Sequence, residues 1–157
     1  MINFRPHTRQ DLPLRVKWIN NPKANLFAID QERLPTDIVK ESKWFNNYEN
    51  IQAKKFFTIC DNEKPIGFMG LTNIDNTKKT AKIFILIGED EYRGKGIGKI
   101  SQKYLIDYAF DTLDLKSLSL EVNKQNIPAI KLNQSLNFVT VDENEKWYKM
   151  VLRNGKK

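Results

Sequence analysis

The run Tyr92-Arg93-Gly94-Lys95-Gly96-Ile97-Gly98-Lys99 places three glycines at alternate positions among three cations. It follows a strand-like apolar segment and opens a segment of helical period. At a helix N-terminus successive backbone N–H groups lack partners within the helix and carry partial positive charge, so they gather around an anion. Glycine lets the main chain take positive φ and lets phosphate oxygens approach with no side chain between. Arg93, Lys95 and Lys99 add charge beside such a site. The chemistry indicated is phosphate binding. A nucleoside-triphosphate loop needs Ser or Thr after its Gly-Lys, whereas Lys95 is followed by Gly96. A dinucleotide fingerprint needs a further glycine where this chain has Lys99.

Scarce residue types narrow the remaining chemistry. The lone Cys60 excludes an intramolecular disulfide, and with the lone His7 it cannot fill a four-ligand zinc shell, so no metal site is expected. A nucleophile-histidine-acid triad would have to run through His7, at the end of the first strand. The 157 residues carry 26 Lys plus Arg against 19 Asp plus Glu, a formal charge of +7 that favours an anionic partner. The pairs Lys54-Lys55, Lys78-Lys79 and Lys156-Lys157 are scattered with acids between them. With no helix-turn-helix pattern and no basic-aromatic strand motif, nucleic acid is not the expected partner. No apolar run approaches the ~20 residues that span a bilayer, so no membrane partner is expected and the expected location is cytoplasmic. Length and composition fit one core, a single domain over residues 1–157.

The elements that must position the glycine run follow from hydrophobic period. Ile2 to Arg5 reads as a strand; Thr8 and Asp11 read as a capping box for a helix with Leu12, Val16 and Ile19 on one face, ended by Asn20-Asn21-Pro22. Thr36 is the expected N-cap of a second helix carrying Ile38, Trp44, Phe45 and Tyr48. Lys54–Cys60, Pro65–Asn73 and Ala81–Ile87 read as three strands with short polar turns, an antiparallel meander. A helix from about Gly96 to Leu113, a strand Ser117–Val122, a helix Pro128–Leu136 and two strands, Phe138–Val141 and Trp147–Leu152, complete the chain. The predicted fold class is α/β: a mixed, mostly antiparallel sheet between helical layers, with one parallel pair formed by the crossover through residues 81–122.

Arg93-x-x-Gly96-x-Gly98 after a strand resembles the acetyl-CoA pyrophosphate loop of the GNAT superfamily of N-acetyltransferases. Asn126-x-x-Ala129-x-x-Leu132, followed by Phe138, is similar to the superfamily's helix beside the pantetheine arm. Trp18-x-Asn20-Asn21-Pro22, with Trp44-Phe45, resembles the subgroup acting on amino sugars, polyamines and ribosomal proteins. The likeness runs from Ile2 to Leu152 in the expected order of elements.

The resemblance implies a three-layer fold in which the strand ending Ile85-Leu86-Ile87 splays from Leu118–Val122. The cofactor, acetyl-CoA, would enter that gap and add to the open strand edge through main-chain bonds. An N–H near Leu86 or Ile87 would polarise the thioester, and transfer to the amine would be direct. It implies cofactor contacts from Ile85, Leu86, Ile87, Arg93, Gly94, Lys95, Gly96, Ile97, Gly98, Lys99, Asn126, Ala129, Lys131 and Asn133. Two departures stand out: Lys82 lies at or near a position where many members carry Glu, and Asn133 replaces a tyrosine that acts as thiolate acid. Glu121, alternating with Leu120 and Val122, is the expected substitute base, and Tyr104 and Tyr148 are the candidate acids. Trp18, Asn20 and Trp44 are the candidate acceptor-pocket residues. The expected substrate is a small primary amine, an amino sugar or nucleotide-linked amino sugar ahead of a polyamine or protein N-terminus, handled by a monomer or homodimer. A non-catalytic acyl-CoA-binding module is the alternative of another class.

Overall fold

Continuous apolar runs in residues 55–61 and 64–75, buried on both faces, with an alternating strand after them, build the centre of the sheet in the computed structural model, which describes residues 1–27, 34–49 and 52–155. Strand β1 (Ile2–Pro6) leads through a 3-10 turn into α1 (Leu12–Asn20), the four-residue α2 (Pro22–Asn25) and α3 (Ile38–Glu49). The meander β2 (Lys55–Asp61), β3 (Lys64–Asp75) and β4 (Thr80–Ile87) follows. Then come α4 (Ile97–Asp107), which widens into a π turn over Tyr108–Thr112, β5 (Ser117–Asn123), α5 (Ile127–Ser135), β6 (Val139–Glu143) and β7 (Trp147–Arg153). The seven strands form one sheet in the order β1-β2-β3-β4-β5-β7-β6. Every neighbouring pair is antiparallel except β4 and β5. The expected α/β architecture, with one parallel pair in a mostly antiparallel sheet, is what forms. Among the described residues no helix is long and apolar enough to cross a membrane.

Two cores flank the sheet. On one face Met69, Leu71, Ile83, Leu118, Leu120, Val122 and Met150 pack with Ile97, Leu105 and Ala109 of α4 and its extension. On the other, Trp18, Phe56 and Phe68 are buried with Leu86 and the aromatic side of α3 against them. The first helix differs from its period-based reading: Leu12, Arg15 and Trp18 are buried, while Val16 and Ile19 are only partly so. Arg15 is accommodated because its Nε donates to Glu41 Oε1 at 2.8 Å and its guanidinium stacks over Trp44, 3.8 Å from the ring centroid. The cap of α3 is Asp37, whose carboxylate accepts from the Lys40 amide at 2.9 Å. Thr36 instead donates its hydroxyl to Glu41 Oε2 at 2.6 Å, because the buried carboxylate that holds Arg15 needs a second donor.

Candidate active site

The parallel pairing of β4 with β5 consists of Thr80↔Ser117, Ala81↔Leu118 and Lys82↔Ser119. β4 continues five residues further, to Ile87, while β5 stays paired with β7 through Asn123. Beyond Lys82 the strands therefore diverge into a wedge. Which main-chain groups line it follows from one bond: the Gly88 amide donates to Ile66 O at 2.8 Å. In an antiparallel ladder the groups alternate, so Phe84 and Leu86 direct their N–H and C=O toward β3, and Ile85 and Ile87 direct theirs into the wedge. Side chains alternate as well. Ile83, Ile85 and Ile87 join the α4 core, while Leu86 packs against the Trp18 cluster and Phe84 stays 43% exposed.

The glycine loop starts at the end of β4. Gly94 and Gly96 take φ of +75° and +80°, and a Cβ placed on either meets nothing within 4 Å, so the space beside the loop is open. Gly98 would bring a Cβ within 3.6 Å of Leu132 Cδ2, which sets how closely α4 starts beside α5. Gly96 is the N-cap of α4 in left-handed conformation and has no side chain to cap the first turn. The first bond reaching back to it comes from Ile100 N, at 3.2 Å. The amides before Ile100 and the helix dipole lie at the end of the loop, with Lys95 and Lys99 exposed on either side in sequence, a fit for a pyrophosphate. Arg93 sits apart from them. Its Nε donates to Ile87 O and its Nη2 to Gly88 O, both at 3.2 Å, and its Nη1 pairs with Asp90.

Helix α5 closes the other side. Asn126 Oδ1 accepts from the Ala129 amide at 3.3 Å, so Asn126 caps the helix that begins at Ile127. Asn133 is buried between layers: its Oδ1 accepts from Gln102 of α4 at 2.9 Å and its Nδ2 approaches Met150 Sδ of β7 at 3.8 Å. Lys131 lies exposed on the same helix.

At the narrow end of the wedge Lys82 Nζ donates to Glu121 Oε1 at 3.1 Å. Both side chains point to the face opposite α4 and α5, where Glu121 is directly across from Lys149 of β7. Tyr148 is across from Val122 on the α5 face, with Lys124 Nζ 5.0 Å from its ring centroid. Tyr104 stands elsewhere: it stacks on Phe4 of β1 at 4.4 Å and edges Phe57 of β2, three strands from β5.

The three residues expected to line an acceptor pocket each make contacts within the protein. Trp18 is fully buried, and its Nε1 donates to Glu89 Oε2 at 2.5 Å. Asn20 holds both main-chain groups of Thr36, each at 2.8 Å. Trp44 lies between Arg15 and Tyr48. Sequence reasoning passed over Phe84, whose exposure, two residues after the exposed Lys82, is legible only once β3 and α1 are placed. It also passed over the Asn21–Asp90–Arg93 chain, whose members are joined across 69 residues.

A model of the acetyltransferase (GNAT) domain family matches residues 2–139. The chain belongs to the GNAT acetyltransferase family. It is 30% identical over 153 residues to "Acetyltransferase PseH" of Campylobacter jejuni, covering 98% of this chain and 92% of that protein. It is also 30% identical over 139 residues to the spermidine N(1)-acetyltransferase of Escherichia coli, covering 87% and 72%. Among solved structures, spermidine N-acetyltransferase from Vibrio cholerae, in complex with CoA and spermine, superposes with a TM-score of 0.90. It shares 22% identity over 99% of this chain and 96% of that one, a likeness of fold. As a GNAT enzyme the chain is an acyl-CoA-dependent N-acetyltransferase whose acetyl donor is acetyl-CoA.

The GNAT donor fits what is present. The open cradle at Gly94 and Gly96 suits its pyrophosphate, and the unpaired edge of β4 suits an amide-bearing arm. Acetyl-CoA supplies an activated acetyl thioester.

Proposed function

We propose that this GNAT domain, spanning residues 1–157, acetylates the primary amine of a small molecule by direct attack in a ternary complex, with an amino sugar or nucleotide-linked amino sugar as acceptor. The observation that carries the reading is the parting of β4 from β5 after Lys82, which leaves the Ile85 and Ile87 main chain facing a wedge that ends at the glycine loop. Gly94 to Lys99 hold the pyrophosphate, with Asn126 and Ala129 at the start of α5 and Lys131 beside it. The Ile87 N–H is the donor for a carbonyl oxygen gaining negative charge; Leu86, whose N–H is turned to β3, supplies packing. Glu121 takes the proton from the attacking amine. Tyr148, on the α5 side of the wedge, is the better placed of the two tyrosines to return one to sulfur, whereas the amide of Asn133 is not an acid and cannot.

The acceptor preference rests on the open face beyond Lys82. Register places Lys82 and the exposed ring of Phe84 on β4, Glu121 on β5, Lys149 on β7 and Asp142 on β6, two cations and two acids in a row that leads away from that ring. An apolar platform with balanced charge leading away from it suits a sugar ring and a tethered phosphate. A polyamine, with several cations, is favoured by an excess of carboxylates. The spermidine N(1)-acetyltransferase relative keeps the polyamine as second reading. The reading places the protein in the cytoplasm, as a monomer or homodimer.

The test is release of CoA thiol from acetyl-CoA across a panel of amino sugars, nucleotide-linked amino sugars, polyamines and peptides. Saturable release with amino sugars supports the proposal, and preferential release with spermidine replaces it by the polyamine reading. CoA binding with no acceptor-dependent release across the panel identifies a binding module.

A further inference from the structure

We propose that Arg93 is a positioning residue for the last carbonyls of β4 and not a cation for the anion in the glycine loop. This rests on the acetyltransferase reading, because it assigns a role within that site. The guanidinium offers five N–H donors in a fixed planar fork. Three of its nitrogens are spent within the protein: Nε on Ile87 O, Nη2 on Gly88 O and Nη1 on Asp90. Asp90 is itself anchored, because Asn21 Nδ2 donates to the same carboxylate at 2.8 Å and approaches Gly88 O at 3.5 Å. Asn21 in turn accepts from the Lys23 amide at 3.1 Å, so α2 fixes its orientation.

The consequence is local. An ion pair with Asp90 cancels most of the field that Arg93 would project into the loop, leaving that field to Lys95, Lys99 and the amides of α4. The two carbonyl bonds instead hold the peptide planes at the exit of β4, immediately after the Ile87 N–H that faces the wedge. The amides of Gly88 and Glu89 both donate to Ile66 O, at 2.8 and 3.1 Å, so the same turn is gripped from the β3 side. Arg93 therefore acts through the geometry of Ile87 and Gly88.

Charge and donor geometry separate in three variants. Glutamine carries its amide nitrogen where arginine carries Nε, so Arg93→Gln keeps a planar donor for Ile87 O and loses the charge. Arg93→Lys keeps the charge and loses the fork, and Arg93→Met loses both. The readouts are CoA affinity by calorimetry, kcat with the best amine of the panel, and amide hydrogen exchange at Gly88 and Glu89 by NMR. A positioning role keeps CoA affinity within about threefold in all three variants. It lowers kcat about tenfold or more in Lys and Met and less than about threefold in Gln. It also speeds exchange at Gly88 and Glu89 in Met but not in Gln. CoA affinity falling about tenfold in Gln and Met with Lys near the parent value, and exchange unchanged throughout, would overturn it. If the parent protein fails to bind CoA, the acetyltransferase reading falls, and the exchange rates still decide whether Arg93 holds the strand end.

Discussion

Lys82 and Glu121 meet at 3.1 Å where β4 and β5 part, an ion pair from the last registered residue of β4 to a residue two beyond the last registered one of β5. Both side chains are more than a third exposed. Such a pair contributes on the order of 0–1 kcal/mol to stability, so its removal leaves the fold intact. Glu121→Gln is expected to lower acceptor-dependent thiol release by about 100-fold or more, the usual scale of a lost general base. CoA affinity and melting temperature should stay close to the parent. Activity within about threefold of the parent would mark Glu121 as a solvated strand carboxylate.

Gly96→Val tests the cradle. At φ +80° a β-branched residue is strained, yet no protein atom lies within 4 Å of its Cβ. The backbone strain is on the order of 1–2 kcal/mol, which a domain of this size survives. The new side chain projects where a phosphate oxygen would approach. The expected result is a cooperative thermal transition lowered by several degrees and CoA binding lost by calorimetry; retained affinity would remove the loop from the site.

His7 makes stability depend on pH. Its Nδ1 lies 2.7 Å from Thr58 Oγ1, whose proton goes to Asp11 at 2.9 Å, so the ring proton sits on Nδ1 and the buried Nε2 is a bare acceptor. Burial first, and then Arg15, lower its pKa from 6.5 to about 4. The folded group is neutral where the unfolded one binds a proton, so stability is unaffected above pH 6.5 and falls as pH drops from 6.5 toward 4. The loss is on the order of 3 kcal/mol at the lower end. Asp11 adds a second, more acidic loss: burial opposes its ionisation, but Arg5, the Thr8 amide and Thr58 together hold its carboxyl at about 2. That contribution disappears as pH falls from 3.8 toward 2. Urea midpoints at pH 7, 5.5 and 4.5 should decline in the parent and decline less in His7→Gln. Parallel slopes would show that His7 is not the titrating group.

Gly88→Ala should destabilise the fold. A Cβ there comes within 2.1 Å of Trp18 Cγ, and Trp18, fully buried and tied to Glu89, has nowhere to retreat. Overpacking of this kind costs about 1–3 kcal/mol. The urea midpoint should fall and the Trp18 emission should shift to the red. An unchanged midpoint would mean that α1 slides readily on the sheet.

The glycine loop, the parallel pair and the α5 cap were legible because each is a local pattern: glycines before a helical period, a crossover of sufficient length, an Asn before Pro128. The face of α1 was not. Its period pointed to Val16 and Ile19, and the burial of Arg15 depends on Glu41, an acid 26 residues away. Tyr104 shows the same limit, since its helix and the strand it stacks on were both predicted but not that they pack together. Trp18, Asn20 and Trp44 were read as acceptor-pocket candidates, and type and spacing do not reveal whether an aromatic or amide group faces a ligand or packs against its own chain.

The seam at Lys82 has a mechanical consequence. The sheet is two slabs, β1–β4 and β5-β7-β6, fastened at one end by three residue pairs and free at the other. A small rotation about that fastening moves Ile87 relative to Val122 more than any other pair along the seam, so the wedge behaves as the open jaw of a lever. A molecule bridging the jaw opposes the rotation, and its stabilisation, about 2.7 kcal/mol at one hundred times its Kd, is delivered where the sheet has fewest bonds of its own. Stiffness of the sheet and occupancy of the site are then one quantity, read by the same melting curve.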